Sequence, residues 1–421
     1  MRGGSLLFLI FIILFLGIVD FYTFRSLRIV TSDLSATAKL IINILFWLIP
    51  VIIISLMFIL AFNMRKTFTT GMFRVWYFLM GFFAIFYIPK LVIIPFQLGN
   101  DLVRLSGFII SKLSGVGTRA ENAGEIMSRA EFLTKTGIIV AAIPFVSVIH
   151  GIVRGRFNYK VKNLKLSFSN LPEAFNGFRV LQISDWHIGS FSFLHNKVKE
   201  SIDLINKQNA DIILFTGDMV NNVASEVKDF IPLLKELKAP YGIYSILGNH
   251  DYGEYVRWDS EEEHAKNMDD LYSYEAKAGF NLLRNDSVII ERGKEKIGIA
   301  GVENWGLPPF PQYGDLKKAL FNIKDIPFKI LMSHDPSHWD AEVINKTNID
   351  LTLSGHTHGM QFGINIPGIK WSPVKWKYPR WNGLYQESNQ YLYVNVGIGY
   401  IGFPGRVGFY PEITVFTLQK S

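Results

Sequence analysis

Cysteine is absent from the 421 residues. That excludes disulfide cross-links and thiolate chemistry, and it leaves the compartment undefined. No small-residue cleavage site follows the first apolar run before Arg25. A secretory signal with Arg2 as its n-region is therefore the weaker reading of that run, and a retained span the stronger one. No recognisable nucleic-acid module accompanies the net charge of +7 and the pI near 9.2. The basic excess is read as serving membrane topology and anionic lipid contact, and no nucleic acid partner is expected. The apolar runs also lack clustered charges, which speaks against a pore.

What the chain does have is apolar residues, 49% of the total, with a mean hydropathy of +0.21. They concentrate before about residue 153, so the average hides two different polypeptides. Ser5 to Phe24 is one run, with Asp20 as its single charge. Leu40 to Phe62, Val75 to about Leu98 and Thr136 to Val153 are three more. At roughly 20 residues such runs span a bilayer. Four spans are expected, with three as the alternative. Lys90, beside Pro89 in the third run, reads either as a functional charge or as the mark of a break. Leu102, Leu105, Ile109 and Leu113 recur at helical spacing, which suits a separate interfacial helix over Asp101 to Leu113 or a loop packed on the bundle. With four spans, the loop bearing Arg65, Lys66 and Arg74 shares a side with Arg154, Arg156, Lys160, Lys162 and Lys165. The positive-inside rule then places everything after Val153 in the cytoplasm. The domain organisation expected is 1–154 in the membrane and 155–421 as a separate soluble domain.

From Gly155 the composition becomes mixed. Short apolar strands alternate with helical segments, and each strand stops at a polar residue. Phe178 to Ser184 ends in Asp185-Trp186-His187. Asp211 to Phe215 ends in Gly217-Asp218. Tyr241 to Leu247 ends in Gly248-Asn249-His250-Asp251. Lys329 to Ser333 ends in His334-Asp335, and Ile349 to Ser354 ends in Gly355-His356-Thr357-His358. Val227 to Leu237 reads as helical, and Asp259 to Gly279 as a helical cap element. Tyr391 to Val396 and Tyr410 to Leu418 read as closing strands of a second sheet. Open α/β sheets keep their sites at the carboxyl ends of strands. Five of the nine histidines stand there, most beside a carboxylate or amide. Oxygen and nitrogen donors without sulfur suit Mn, Fe or Zn.

Asp-x-His, Gly-Asp, Gly-Asn-His-Asp, a strand-end His and Gly-His-Thr-His, in that order, resemble the calcineurin-like metallophosphoesterases over about residues 157–420. The hydrophobic N-terminus and the ending Gly405-Arg406 through Pro411-Glu412-Ile413-Thr414 resemble the transmembrane subtype. Met360 departs from the group, which often has a second Gly there. The resemblance implies an α/β fold, a two-sheet αββα sandwich after the transmembrane helices. It implies two divalent metal ions, one held by Asp185, His187 and His358, the other by Asn249, His334 and His356, with Asp218 bridging. It also implies a metal-dependent phosphohydrolase, a phosphodiesterase or pyrophosphatase, in which a water shared between the metals attacks phosphorus in line. His250 has no metal assignment and is the candidate acid for the leaving oxygen. Asp251 either orients His250 or is a turn residue.

Aromatics are frequent in the loops: Tyr252, Tyr255, Trp258, Trp305, Phe310, Trp371, Trp376, Tyr378 and Trp381. Lys370, Lys375, Lys377 and Arg380 interleave with the last four. Pro367 to Gly383 reads either as a rim touching a phosphate or headgroup at the bilayer face, or as ordinary loop packing. A membrane-tethered phosphoesterase suits a lipid-linked phosphate ester. The competing readings are a non-catalytic metal-binding scaffold and the regulatory domain of a membrane transporter.

Overall fold

The structure, a computed structural model, describes residues 3–64, 70–114 and 129–421. Two compact units are present, Met1–Asn63 with Phe78–His150, and Met64–Tyr77 with Gly151–Ser421.

The first unit is built from α1 (Gly3–Val30), α2 (Ala36–Met64), α3 (Thr70–Ser114) and α4 (Arg129–Val153), α3 beginning in the second unit. All four are long and apolar enough to cross a membrane. Large apolar side chains such as Leu14, Phe58 and Ile143 point outward, as they do where the surrounding solvent is lipid. Several polar groups among the described residues point inward and pair. Lys90 Nζ lies 2.6 Å from Asp20 Oδ1, and Tyr87 donates its hydroxyl to Asp20 Oδ2 at 2.9 Å. Gln97 Nε2 donates to Thr134 Oγ1 at 2.8 Å. Arg25 holds Asp101 through two nitrogens at 2.7 and 2.8 Å. Two expectations are corrected here. Pro89 does not break α3, which runs on through Pro89 and Pro95. The stretch Asp101 to Leu113 is not a separate interfacial helix but the C-terminal part of the same 45-residue helix. At 1.5 Å per residue this helix is about 67 Å long, more than a hydrocarbon core of about 30 Å requires.

The second unit is a sandwich of two six-stranded sheets. Its strands in chain order are β1 (Lys160–Phe168), β2 (Arg179–Ile183), β3 (Ile212–Phe215), β4 (Ile243–Ser245), β5 (Asn281–Leu282), β6 (Asp286–Arg292), β7 (Glu295–Gly301), β8 (Lys329–Met332), β9 (Leu351–Ser354), β10 (Ile364–Ile366), β11 (Ile369–Trp371), β12 (Gly383–Glu387), β13 (Gln390–Val394) and β14 (Glu412–Lys420). The first sheet runs β1-β14-β2-β3-β4-β5 and the second β12-β13-β9-β8-β7-β6, with β10 and β11 as a separate hairpin. β2 to β5 are mutually parallel, as are β7, β8, β9 and β13.

Period-2 alternation explains the layers. On β3, Ile212 and Leu214 enter the core between the sheets, beside Ile330, Met332, Leu351 and Leu353 of the second sheet. Ile213 and Phe215 face the other way, toward Val198 and Ile202 of α5 (His195–Asn206). Strands covered on both faces read as unbroken apolar runs, which is why β3 shows no polar alternation. The outer face of the second sheet is closed by Leu331, Leu392 and Val394 against Ile323, Trp339 and Val343.

β14 does not close the second sheet. It lies inside the first, parallel to β1 and antiparallel to β2. Its alternation sends Phe416 and Leu418 to the inter-sheet core and Ile413 and Val415 to the outer one. Such a pattern specifies a strand buried on both faces without specifying its neighbours. Val227 to Leu237 is helical only in part, a 3-10 turn over Lys228–Phe230 leading into a short α6, Ile231–Leu234. The segment expected as a cap is α7 (Glu261–Ala278), which buries Leu271 and Ala278 in the outer core of the first sheet. Its start is set by Ser260, whose side chain accepts the Glu263 N–H, and its end by Gly279 at φ +94°, both standard helix stops.

Candidate metal centre

Five parallel strands deliver the polar residues to one place. Asp185 and His187 follow β2, Asp218 follows β3, Asn249 to Asp251 follow β4, His334 follows β8, and His356 and His358 follow β9. The donor atoms of Asp185, His187, Asp218 and His358 all lie within 4.8 Å of one another, and all four residues are buried. His358 Nε2 is 3.1 Å from Asp185 Oδ1 and 3.0 Å from His187 Nε2. His334 Nε2 lies 3.2 Å from Asp218 Oδ2, the oxygen that His187 Nε2 approaches at 3.5 Å. His356 stands edge-on to His334 with ring centroids 5.2 Å apart, and its Nδ1 is 2.8 Å from Asn249 Oδ1. Asp218 Oδ2 is thus shared between His187 and His334.

The backbone is bent to achieve this. Asp185, His187, Asp218, His356 and His358 all have left-handed φ, from +46° to +69°. That conformation costs about 1–3 kcal/mol at each non-glycine residue and clusters where a site demands it. The glycines preceding the donors make the turns possible. At Gly217, φ is +91°, and a Cβ would stand 2.5 Å from the Gly248 nitrogen. At Gly355 a Cβ would collide with Ser184 Oγ and Asp185 Oδ2.

Backbone carbonyls set the histidine tautomers. His187 donates Nδ1–H to Val220 O at 3.0 Å, His334 to Thr216 O at 2.7 Å, and His250 to Asn221 O at 2.7 Å. Each ring therefore turns its Nε2 inward, as histidine metal ligands do. His356 places Nε2 2.7 Å from the Tyr378 hydroxyl. That hydroxyl in turn lies 3.4 Å from Asp335 Oδ2.

The electrostatics fit a cation. Burial alone would raise the Asp185 and Asp218 carboxyls. His358 foremost for Asp185, and His334 foremost for Asp218, hold both below the usual carboxylate range. Burial lowers His187, His250 and His356, the last to about 4. His334 is the exception. Burial opposes its charge, but the Asp218 carboxylate prevails and lifts it to about 10. Its Nε2 is buried without a hydrogen-bond partner and is aimed at that carboxylate. Two ionised carboxylates and an orphaned imidazole nitrogen are the donor set that a divalent ion satisfies.

Asp251 does not orient His250. Its carboxylate accepts the backbone N–H groups of Asp218, Gly248 and Val220 at 2.8, 2.8 and 3.1 Å. The Asn221 carbonyl holds the His250 ring instead. Sequence reasoning also missed Arg406 as part of the site. It is fully buried, donates Nε to Gly399 O at 2.7 Å and Nη2 to Val396 O at 2.8 Å, and brings Nη2 within 3.3 Å of His358 Nδ1. Its signal was the Gly-Arg of the closing loop, which carries no chemistry until the fold brings it to His358. Of the loop aromatics, Tyr255, Phe310 and Tyr378 reach the site. Tyr255 accepts from Asn249 Nδ2 at 2.8 Å, and Phe310 stands edge-on to His356.

Known proteins share both parts of the chain. Residues 1–156 match the family model described as probable calcineurin-like phosphoesterase, transmembrane domain. Residues 178–360 match that of calcineurin-like phosphoesterase. An uncharacterized metallophosphoesterase of Bacillus subtilis, YkuE, is 35% identical over 260 residues, 60% of this chain and 83% of that protein. A zebrafish (Danio rerio) transmembrane protein with metallophosphoesterase domain is 27% identical over 319 residues, 74% of this chain and 69% of that one. Among solved structures, the phosphopantetheinyl hydrolase of Mycobacterium tuberculosis aligns at 13% identity and a TM-score of 0.33, covering 54% of this chain and 91% of that one.

Proposed function

Because the chain belongs to the calcineurin-like metallophosphoesterases, with an N-terminal part of the transmembrane type, we propose that it is a membrane-anchored phosphohydrolase working with two divalent ions. The observation that carries this reading is the convergence of Asp185, His187, Asp218 and His358 within 4.8 Å. In this reading Asp185, His187 and His358 would hold one ion and Asn249, His334 and His356 the other, with Asp218 available to both. When bound, the ions would acidify a water and neutralise charge on the phosphoryl oxygens. The protein supplies the rest. The carbonyls of Val220 and Thr216 hold Nδ1 of His187 and His334, so that Nε2 of each faces the ion site, and His334 would give up the proton that Asp218 favours when an ion takes its place. His250 presents Nε2 to the cleft, and a pKa lowered by burial makes its protonated ring a stronger acid toward the leaving oxygen. Tyr255, Phe310 and Tyr378 form an aromatic rim around the substrate, a phosphomonoester, phosphodiester or pyrophosphate. The bilayer anchor favours a lipid-linked ester, and the cytoplasmic side is the location we assign to the catalytic domain.

The test is hydrolysis of bis-(p-nitrophenyl) phosphate by the detergent-solubilised full chain, with and without Mn, beside Asp218→Ala and His250→Ala. The expected outcome is metal-dependent turnover abolished by Asp218→Ala. In His250→Ala it should fall roughly 10²–10⁴-fold with metal content retained. A metal-loaded wild type inert toward this and toward lipid phosphate esters would reverse the reading in favour of a scaffold.

A further inference from the structure

The hairpin formed by β10 and β11 is not absorbed by the catalytic reading. Its register pairs Ile364 with Trp371 and Ile366 with Ile369, leaving Asn365 opposite Lys370. Side chains alternate across a ribbon, so one face is Ile364, Ile366, Ile369 and Trp371, and the other Asn365 and Lys370. The polar face leans on the body of the domain, with Lys370 Nζ on the Asn382 carbonyl at 2.9 Å. On the apolar face, Ile364, Ile366 and Ile369 are each about half exposed, and nearby Trp376 is 76% exposed. Trp376 packs edge-on against Trp371 at 5.7 Å. Soluble surfaces rarely leave such a group of side chains uncovered.

The position of the hairpin says what covers it. Its root is hydrogen-bonded to the segment Gly405–Val407, through Gly363 N–H to Val407 O at 3.0 Å and Val407 N–H to Gln361 O at 2.8 Å. The same segment bonds on its other side to the closing residues of α4, through Arg406 N–H to Gly151 O at 3.1 Å. The hairpin root and the end of an apolar, membrane-length helix are therefore two strand spacings apart, about 10 Å. Residues 364–377 contain three lysines and no acidic residue, and Lys375 and Lys377 are exposed. Tryptophan at the margin of an aliphatic tip, flanked by lysines, is the composition of a membrane interface.

We propose that the β10–β11 hairpin inserts its Ile364, Ile366 and Ile369 face into an anionic bilayer surface, as a membrane contact in addition to the four apolar helices. Its base is the cluster of Tyr378, Trp381 and Phe409, and Tyr378 touches His356, so this contact sets the mouth of the metal centre at the lipid headgroups. The insertion itself does not depend on hydrolysis. An inert enzyme would leave it standing, and an uninserted hairpin would leave the hydrolytic reading standing.

The cysteine-free chain permits a direct test. Ile366→Cys and, as control, Phe321→Cys (72% exposed) are labelled with an environment-sensitive nitrobenzoxadiazole dye. Each full-length protein is then reconstituted into phosphatidylethanolamine–phosphatidylglycerol vesicles with or without doxyl-labelled lipid. The expected result is blue-shifted emission at 366 that is lost to doxyl quenching, with the 321 label unaffected. A further variant carries the dye at Trp376→Cys together with Ile366→Asp and Ile369→Asp. It should lose the quenching that Trp376→Cys alone shows, at an unchanged melting temperature. Equal, unquenched emission at 366 and 321 would overturn the proposal. So would a disulfide between copies at Ile366→Cys without lipid quenching, which would assign the face to a second chain.

Discussion

The Asp251 carboxylate caps the backbone of Asp218, accepting its N–H at 2.8 Å. It takes the N–H groups of Gly248 and Val220 as well. Burial, and then the neighbouring Asp218 charge, push its pKa to about 7 against those bonds. Asp251 therefore holds together the turns that carry the donors after β3 and β4. Asp251→Ala leaves three buried N–H groups unmatched and should cost on the order of 3 kcal/mol. Metal content per chain should fall with it. His250→Ala should change neither melting temperature nor metal content. Equal behaviour of the two variants would reject this division of labour.

The Asp20–Lys90 pair is buried among apolar helices. Removing one partner leaves the other charge uncompensated. Asp20→Ala should cost roughly 3–5 kcal/mol, and Asp20→Leu with Lys90→Leu should recover most of it. Unfolding of the three variants in mixed micelles measures this. A double variant as unstable as the single one would show that the pair contributes nothing through its charges.

Glu275 gives a pH dependence of known sign. It is fully buried, accepts from Ser245 Oγ at 2.5 Å, and burial raises its pKa from 4.5 to about 8. The native state thus retains a proton that the unfolded chain releases. Its contribution is complete below about pH 4.5 and is lost as the pH rises through about 8. Glu275→Gln should match the wild type at the acid end of this window. Toward pH 8 it should become more stable than the wild type, by an amount on the order of 4 kcal/mol. Parallel melting curves across the window would contradict it.

Met360 has φ +55° and an exposed side chain. It occupies a left-handed turn where glycine is strain-free. The strain relieved, about 1–2 kcal/mol, exceeds the entropy glycine loses, about 0.5–1 kcal/mol. Met360→Gly should raise the melting temperature slightly and leave turnover unchanged. A lower melting temperature would mean that the Met side chain makes a contact worth more than the strain.

The donors were legible because each follows an apolar strand directly, and strand ends in parallel sheets converge. The layers were legible for a related reason, since β3 and β8 are apolar on both faces. What was not legible depended on partners far along the chain. Asp251 looks equally able to serve His250, its neighbour in sequence, and only the fold shows it turned toward Asp218. Arg406 finds His358 across 48 residues, and Asp20 finds Lys90 across 70. β14 carries the right alternation, but alternation does not name the strands beside it. The prolines of α3 misled because a helix in an apolar surrounding tolerates them.

The place of β14 has a consequence for synthesis. β1 is made as the chain leaves α4, and its pairing partner is made about 250 residues later, Lys160 meeting Glu412. At roughly 5–20 residues per second, β1 and the open edge of β2 wait on the order of ten seconds or more without their neighbour. The first sheet is therefore closed after translation has passed every residue of the proposed metal centre, and a chain stalled before Glu412 would expose two unpaired strand edges.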